Sequence, residues 1–206
     1  MKHLKKFNEA IIDYKSENVE GFYKECKDLI ETQFRITDTQ LKEIAEKWDI
    51  EAVDYKTFIS DLPDTLKAGA PPPGILFALV NPETGKPRIV CDLKKISERE
   101  LDHIHHMLKH ETIHIGQKAR SKGKGSGEGM DPKDRKSYFS NKDEVMAFAQ
   151  SISDLLMKSN PKNIEEALKG LDRNPLWNDI KRSVDTTTLQ RYKKYIYQYL
   201  EKEFES

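Results

Sequence analysis

Cysteine is scarce: Cys26 and Cys91 are the two thiols, far apart and in different contexts. That excludes a disulfide framework and leaves two reduced cysteines as the expectation. Long apolar runs are missing as well. No stretch approaches the roughly 18 apolar residues of a membrane span, and the basic opening Met1-Lys2-His3-Leu4-Lys5-Lys6 leads into no apolar run of the secretory kind. A cytoplasmic protein without a membrane partner is the expectation. An excess of one charge is also lacking, with 35 basic residues against 35 acidic. With no block of like charge, the composition argues against binding to nucleic acid through phosphate neutralisation.

What remains is a chain of 206 residues, 34% charged and 36% hydrophobic, which suits a helix-rich protein with a real core. Apolar positions at helical spacing run through residues 1–68, beginning with Phe7, Ile11, Ile12 and Tyr14 and continuing with Val19, Phe22, Tyr23 and Leu29. A further helix should start at a Thr37 or Asp38 cap and run through Leu41, Ile44 and Trp48. The first 68 residues are therefore expected to be an N-terminal helical region, and residues 69–206 a core with C-terminal helices.

The run from Lys67 to Gly74 contains three prolines, excludes helix and marks a turn or extended connection. Ile75–Val80 and Arg88–Leu93 then read as two short strands around a Pro/Gly turn, an antiparallel hairpin, with the second strand as an exposed edge. Ser97 caps a helix reaching about Gln117, with Glu98 and Glu100 in its first turn. The glycine-rich stretch Ser121–Gly129 reads as a loop, and its glycines do not fit a phosphate-cradling motif. Another helix starts near Ser140 or Asn141 and continues through Leu156. The C-terminal part is helical again, broken at Asn160-Pro161 and Asn174-Pro175, and ends in Tyr192, Tyr195, Ile196, Tyr199 and Leu200 at packing intervals.

Five of the six histidines fall between positions 103 and 114. The informative run is His110-Glu111-Thr112-Ile113-His114. On a helix, residues i and i+4 share a face, so both imidazoles can reach one metal ion. Glu111, about 100° round from His110, stands beside that ion without ligating it, as a general base should. Zn²⁺ suits the pair, since it accepts imidazole nitrogen and activates water at an open position. Leu101, Ile104, Leu108 and Ile115 form an apolar stripe beside the histidine face. His103 and His106 extend the metal-side face, but they and His105 are expected chiefly as solvated side chains.

Two histidines do not complete a site, and no histidine follows His114. Gln117 and Arg120 stand where a metzincin has glycine and histidine, which excludes that class. A carboxylate on a later helix is the natural third ligand. Glu144 is the candidate, on the edge of a face shared with Phe148, Ile152 and Leu155, while Asp143 lies on a more polar face. With Asn141 as N-cap, Glu144 would be the third helical residue of a capping arrangement; with Ser140 as cap, it is free of that part.

The run His110–His114, followed by Glu144-Val145-Met146-Ala147-Phe148-Ala149, resembles the gluzincin branch of zinc metallopeptidases, particularly small bacterial and phage-encoded ones. The second run is also similar to that of the ImmA/IrrE-type regulatory peptidases. The resemblance covers roughly residues 75 to 157. It implies an α+β, mostly helical fold with a minimal zincin core: a small antiparallel sheet, an active-site helix and a helix bearing the glutamate. It also implies zinc held by His110, His114 and Glu144, with Glu111 as base in hydrolysis of a protein or peptide substrate. Tyr138 is the expected second oxyanion stabiliser, and a hydrophobic staple formed by Tyr138 and Phe139 is the competing expectation. Two other functions stay open, a regulatory peptidase with a single intracellular protein target and a non-catalytic zinc-stabilised structural or virion protein. The oligomeric state is not legible.

Overall fold

The structure is a computed structural model describing residues 16–62, 64–67, 70, 72–74, 76–81, 83–120 and 134–205. The expected first helical pattern at Phe7–Tyr14 and the glycine-rich loop at Ser121–Gly129 lie outside the described residues. The fold is α+β and mostly helical, and the chain divides into two compact units, Met1–Gly116 and Gln117–Ser206.

The first unit begins with helix α1 (Ser16–Gln33), strand β1 (Ile36–Thr37), helix α2 (Asp38–Lys47) and strand β2 (Glu51–Val53). Short helices α3 (Tyr55–Asp61) and α4 (Asp64–Lys67) lead to strands β3 (Leu76–Val80), β4 (Pro87–Cys91) and β5 (Lys95–Ile96). Helix α5 (Glu98–Arg120) follows. Thr37 caps α2 as expected. Its hydroxyl accepts from the Gln40 N–H at 3.2 Å, and the Gln40 side chain accepts from the Thr37 N–H at 2.9 Å.

The hairpin forms with Leu76 opposite Cys91 and Val80 opposite Pro87. Gly85, with φ +67°, occupies the left-handed position of its turn. The sheet is nevertheless mixed, not wholly antiparallel. β2 lies parallel to β4, Glu51 opposite Arg88, giving the order β2-β4-β3. The Arg88–Leu93 segment is therefore not an exposed edge: β4 is bonded on both sides. The physical sign is its run of Ile89, Val90 and Cys91, all buried, as a central strand requires. Glu51 anchors β2, accepting from Asn81 and from Arg88 Nε at 2.7 Å each, and from Thr84. Burial opposes its charge, but these hydrogen bonds prevail and hold its carboxyl below the usual range. β1 and β5 form a separate antiparallel pair, Ile36 opposite Ile96.

One apolar core unites these elements. Val19, Phe22, Cys26 and Ile30 come from α1, Leu41 and Ile44 from α2, Ile89 from β4, and Leu101, Ile104 and Leu108 from α5. Both thiols are buried and free. Burial pushes the Cys26 thiol up to about 12 and raises Cys91 as well.

A polar ladder fixes α1 against α5, descending one helix as it climbs the other. Lys27 faces Glu98 at 3.8 Å, the Tyr23 hydroxyl donates to Asp102 at 2.7 Å, and Glu20 meets both His105 at 3.2 Å and Lys109 at 3.3 Å. Tyr23 also stacks on the His105 ring, with centroids 4.0 Å apart. His105 is thus a packed, bonded residue and not a solvated one.

The second unit consists of α6 (Arg135–Ser140), α7 (Lys142–Met157), α8 (Ile164–Lys169), a 3₁₀ turn at Leu171–Arg173, α9 (Pro175–Ser183) and α10 (Thr186–Glu205). Its core joins Val145, Ala149, Ile152 and Leu156 of α7 with Trp177, Ile180, Tyr192, Ile196 and Leu200, all buried. The Tyr192 hydroxyl donates to the Phe139 carbonyl at 2.9 Å. Among the described residues, no helix is long and apolar enough to cross a membrane.

Two predictions concern the first unit. A Cβ added at Gly21 would stand 2.3 Å from the Trp48 ring, which lies across α1 and donates to Glu25 at 2.9 Å. Gly21→Ala gains about 1 kcal/mol of helix propensity, but overpacking costs about 1–3 kcal/mol. The net outcome is a lower melting temperature; a higher one would refute the Trp48 packing. The hydrogen bond from His105, aided by Lys109, holds the Glu20 carboxyl at about 2, below its ordinary 4.5. Its contribution to stability is complete above pH 4.5 and fades as pH falls toward 2. The stability gap between wild type and Glu20→Gln, measured by urea unfolding, should therefore shrink from pH 6 to pH 3 (roughly the span of that titration). A gap that stays constant would remove Glu20 from the ladder.

Candidate metal centre

The rotation of α5 is set by what it buries. Leu101, Ile104 and Leu108 have no exposed surface and Ile115 is 6% exposed, the stripe expected from the sequence. At 100° per residue, Asp102, His105 and Lys109 flank one side of that stripe, toward α1. His110 and His114 lie on the far side, half-buried, with Glu111 half-buried between them and the stripe. His105 is about 180° round the helix from His114, so it cannot join the pair. His103 is exposed and His106 half-buried.

The two imidazoles of the motif converge. Nε2 of His114 is 3.1 Å from Nε2 of His110, with ring centroids 4.8 Å apart at 72°. Two tetrahedral ligands about 2.1 Å from zinc stand about 3.4 Å from each other. The observed spacing differs from that by a few tenths of an ångström. The two imidazoles thus meet tip to tip across one turn of helix, at a spacing close to that of two ligands of one cation.

Glu144 occupies the first turn of α7 with Asp143. Of the two expected caps, Asn141 is the one used: its side chain accepts from the Asp143 N–H at 2.8 Å. Glu144 is then the third helical residue. The Asn141 N–H is already given to the Tyr138 carbonyl at 3.2 Å. The helix N-terminus favours the anionic carboxylate there. α7 buries Val145, Met146, Ala147, Ala149, Ile152, Ser153 and Leu156, whereas Leu155 of the expected stripe is 39% exposed. Glu144 is half-buried. Its negative charge adds to the burial that pushes the Tyr192 hydroxyl far above its ordinary range.

Tyr138 stands on α6 in an aromatic cluster, 5.6 Å from the Phe139 ring and 5.7 Å from Phe148, which Phe139 meets at 5.2 Å. One residue of interest was marked in the sequence only as a departure from another class. Gln117, 8% exposed, donates its amide to the Asp143 carbonyl at 3.0 Å. It lies on α5 three residues beyond His114, and its partner immediately precedes Glu144. The sequence signal was positional alone. Comparison with known proteins brings no relative: no family model, no curated protein and no solved structure matches the chain.

Proposed function

We propose that this chain is a zinc-dependent peptidase of the gluzincin kind, with His110, His114 and Glu144 as ligands and Glu111 as general base. The observation that carries this reading is the 3.1 Å approach of the two Nε2 atoms across one helical turn, with a carboxylate between them in sequence. Two imidazoles and a carboxylate are a donor set that suits zinc. The third donor in this reading is Glu144, the carboxylate that the resemblance assigns to it.

Zinc held there would supply Lewis acidity toward a peptide carbonyl and toward water. The remaining work falls to the chain. Glu111 accepts a proton from the attacking water and returns it to the departing amine nitrogen as the C–N bond breaks. Tyr138 is the proposed donor to the developing oxyanion. The free antiparallel edge is β3, which pairs with β4 on one side and with no described strand on the other. Its residues Leu76 to Val80 are all apolar, which suits an extended peptide added as a further strand. A purely structural ion would have no use for Glu111 beside an open coordination position, and that favours a catalyst over a structural protein.

Elemental mass spectrometry of wild type, His110→Ala and Glu144→Ala tests the ligand set. About one zinc per wild-type chain, lost in both variants, is expected. Zinc kept by Glu144→Ala would move the third ligand elsewhere, and a zinc-free wild type under zinc-replete conditions would end the proposal. Glu111→Gln should keep its zinc and lose hydrolysis by about 10²- to 10⁴-fold, the usual contribution of a general base. Undiminished proteolysis in that variant would remove Glu111 from the mechanism.

A further inference from the structure

The first unit has a second open strand, on the opposite side of the sheet from β3. β2 uses one side of its backbone on β4, and the other side meets no strand among the described residues. A groove of about 510 Å³ runs beside it, with Asp49–Val53 along one wall and α2 along the other. The α2 wall is Thr39, Lys42, Glu43 and Glu46, a helical stripe turned away from the core positions Leu41 and Ile44. Exposed backbone donors and acceptors beside a groove form a template for an added strand.

The charge of the groove selects what that strand carries. Five acids line it against two lysines. Both lysines are committed, Lys42 to Asp38 and Lys86 to Asp49, each at 2.7 Å. Glu51 is committed to Arg88 at 2.7 Å. Glu43 and Glu46 are exposed and have no ion pair among the described residues. α2 packs on one face of the sheet through Leu41 and Ile44. A strand added to β2 would therefore raise every second side chain on the α2 face, beside Glu43 and Glu46.

We infer that the β2 edge and the Glu43–Glu46 wall form a docking groove for an extended segment of another protein carrying lysine or arginine at alternate positions. The groove excludes two other occupants on electrostatic grounds. A second copy pairing through β2 would bring the two sets of glutamates together, and a nucleic acid would meet unpaired carboxylates with its phosphates. The inference goes beyond the peptidase reading and uses no residue of the metal centre.

The test follows backbone amide shifts of the ¹⁵N-labelled full chain during titration with a capped octapeptide of alternating lysine and valine, against a glutamate–valine control. Saturable shifts at Glu51, Ala52 and Val53 with the lysine peptide alone are expected. Glu43→Lys/Glu46→Lys should weaken that peptide by about tenfold or more and favour the control, as reversal of facing charges does. Glu43→Gln/Glu46→Gln gives the same reading, in smaller measure, if the reversal disturbs folding. No saturable change at those three amides, or equal affinity in wild type and both variants, overturns the inference. Because the readout needs neither zinc nor hydrolysis, its failure is separate from failure of the metal assignment.

Discussion

Burial of Leu101, Ile104 and Leu108 governs the chemistry of this molecule, although none of the three is a chemical group. With no surface left exposed, these side chains allow α5 one rotation about its axis. The rest of the helix follows from that rotation. Asp102, His105 and Lys109 meet α1, while His110 and His114 come to the side that the first unit's core does not occupy.

The same logic explains which features were legible in the sequence. The spacing of His110 and His114 is a statement about one rigid helix, and no tertiary information is needed to read it. The caps Thr37 and Asn141 are local in the same sense, as is the hairpin from Leu76 to Cys91. β2 was hidden because three residues are too few to display alternation, and because its partner β4 lies far along the chain. The role of His105 was hidden for a related reason. A histidine on a polar face looks solvated until Tyr23 and Glu20 arrive from another helix.

Glu144 shows an intermediate case. Its stripe was read as Phe148, Ile152 and Leu155, whereas α7 buries Val145, Met146, Ala147, Ala149, Ile152, Ser153 and Leu156. The residue nevertheless stays half-buried in the first turn of that helix. Gln117 carried no chemical signature in the sequence, because an amide bonded to a main-chain carbonyl is specified by geometry and not by composition. The two sheet edges differ in a comparable way. β3 is apolar along its length, and β2 stands beside a glutamate wall, so one small sheet has two unlike edges.

The placement of the two tryptophans has an experimental consequence. Trp48 belongs to the first unit, half-buried against α1 beside the Glu25 carboxylate, and Trp177 to the second, 1% exposed. Each unit thus contains its own optical reporter in a different dielectric setting. Replacing either indole by phenylalanine leaves a single emitter, and the cooperativity of the whole chain becomes visible as the agreement or disagreement of two melting curves.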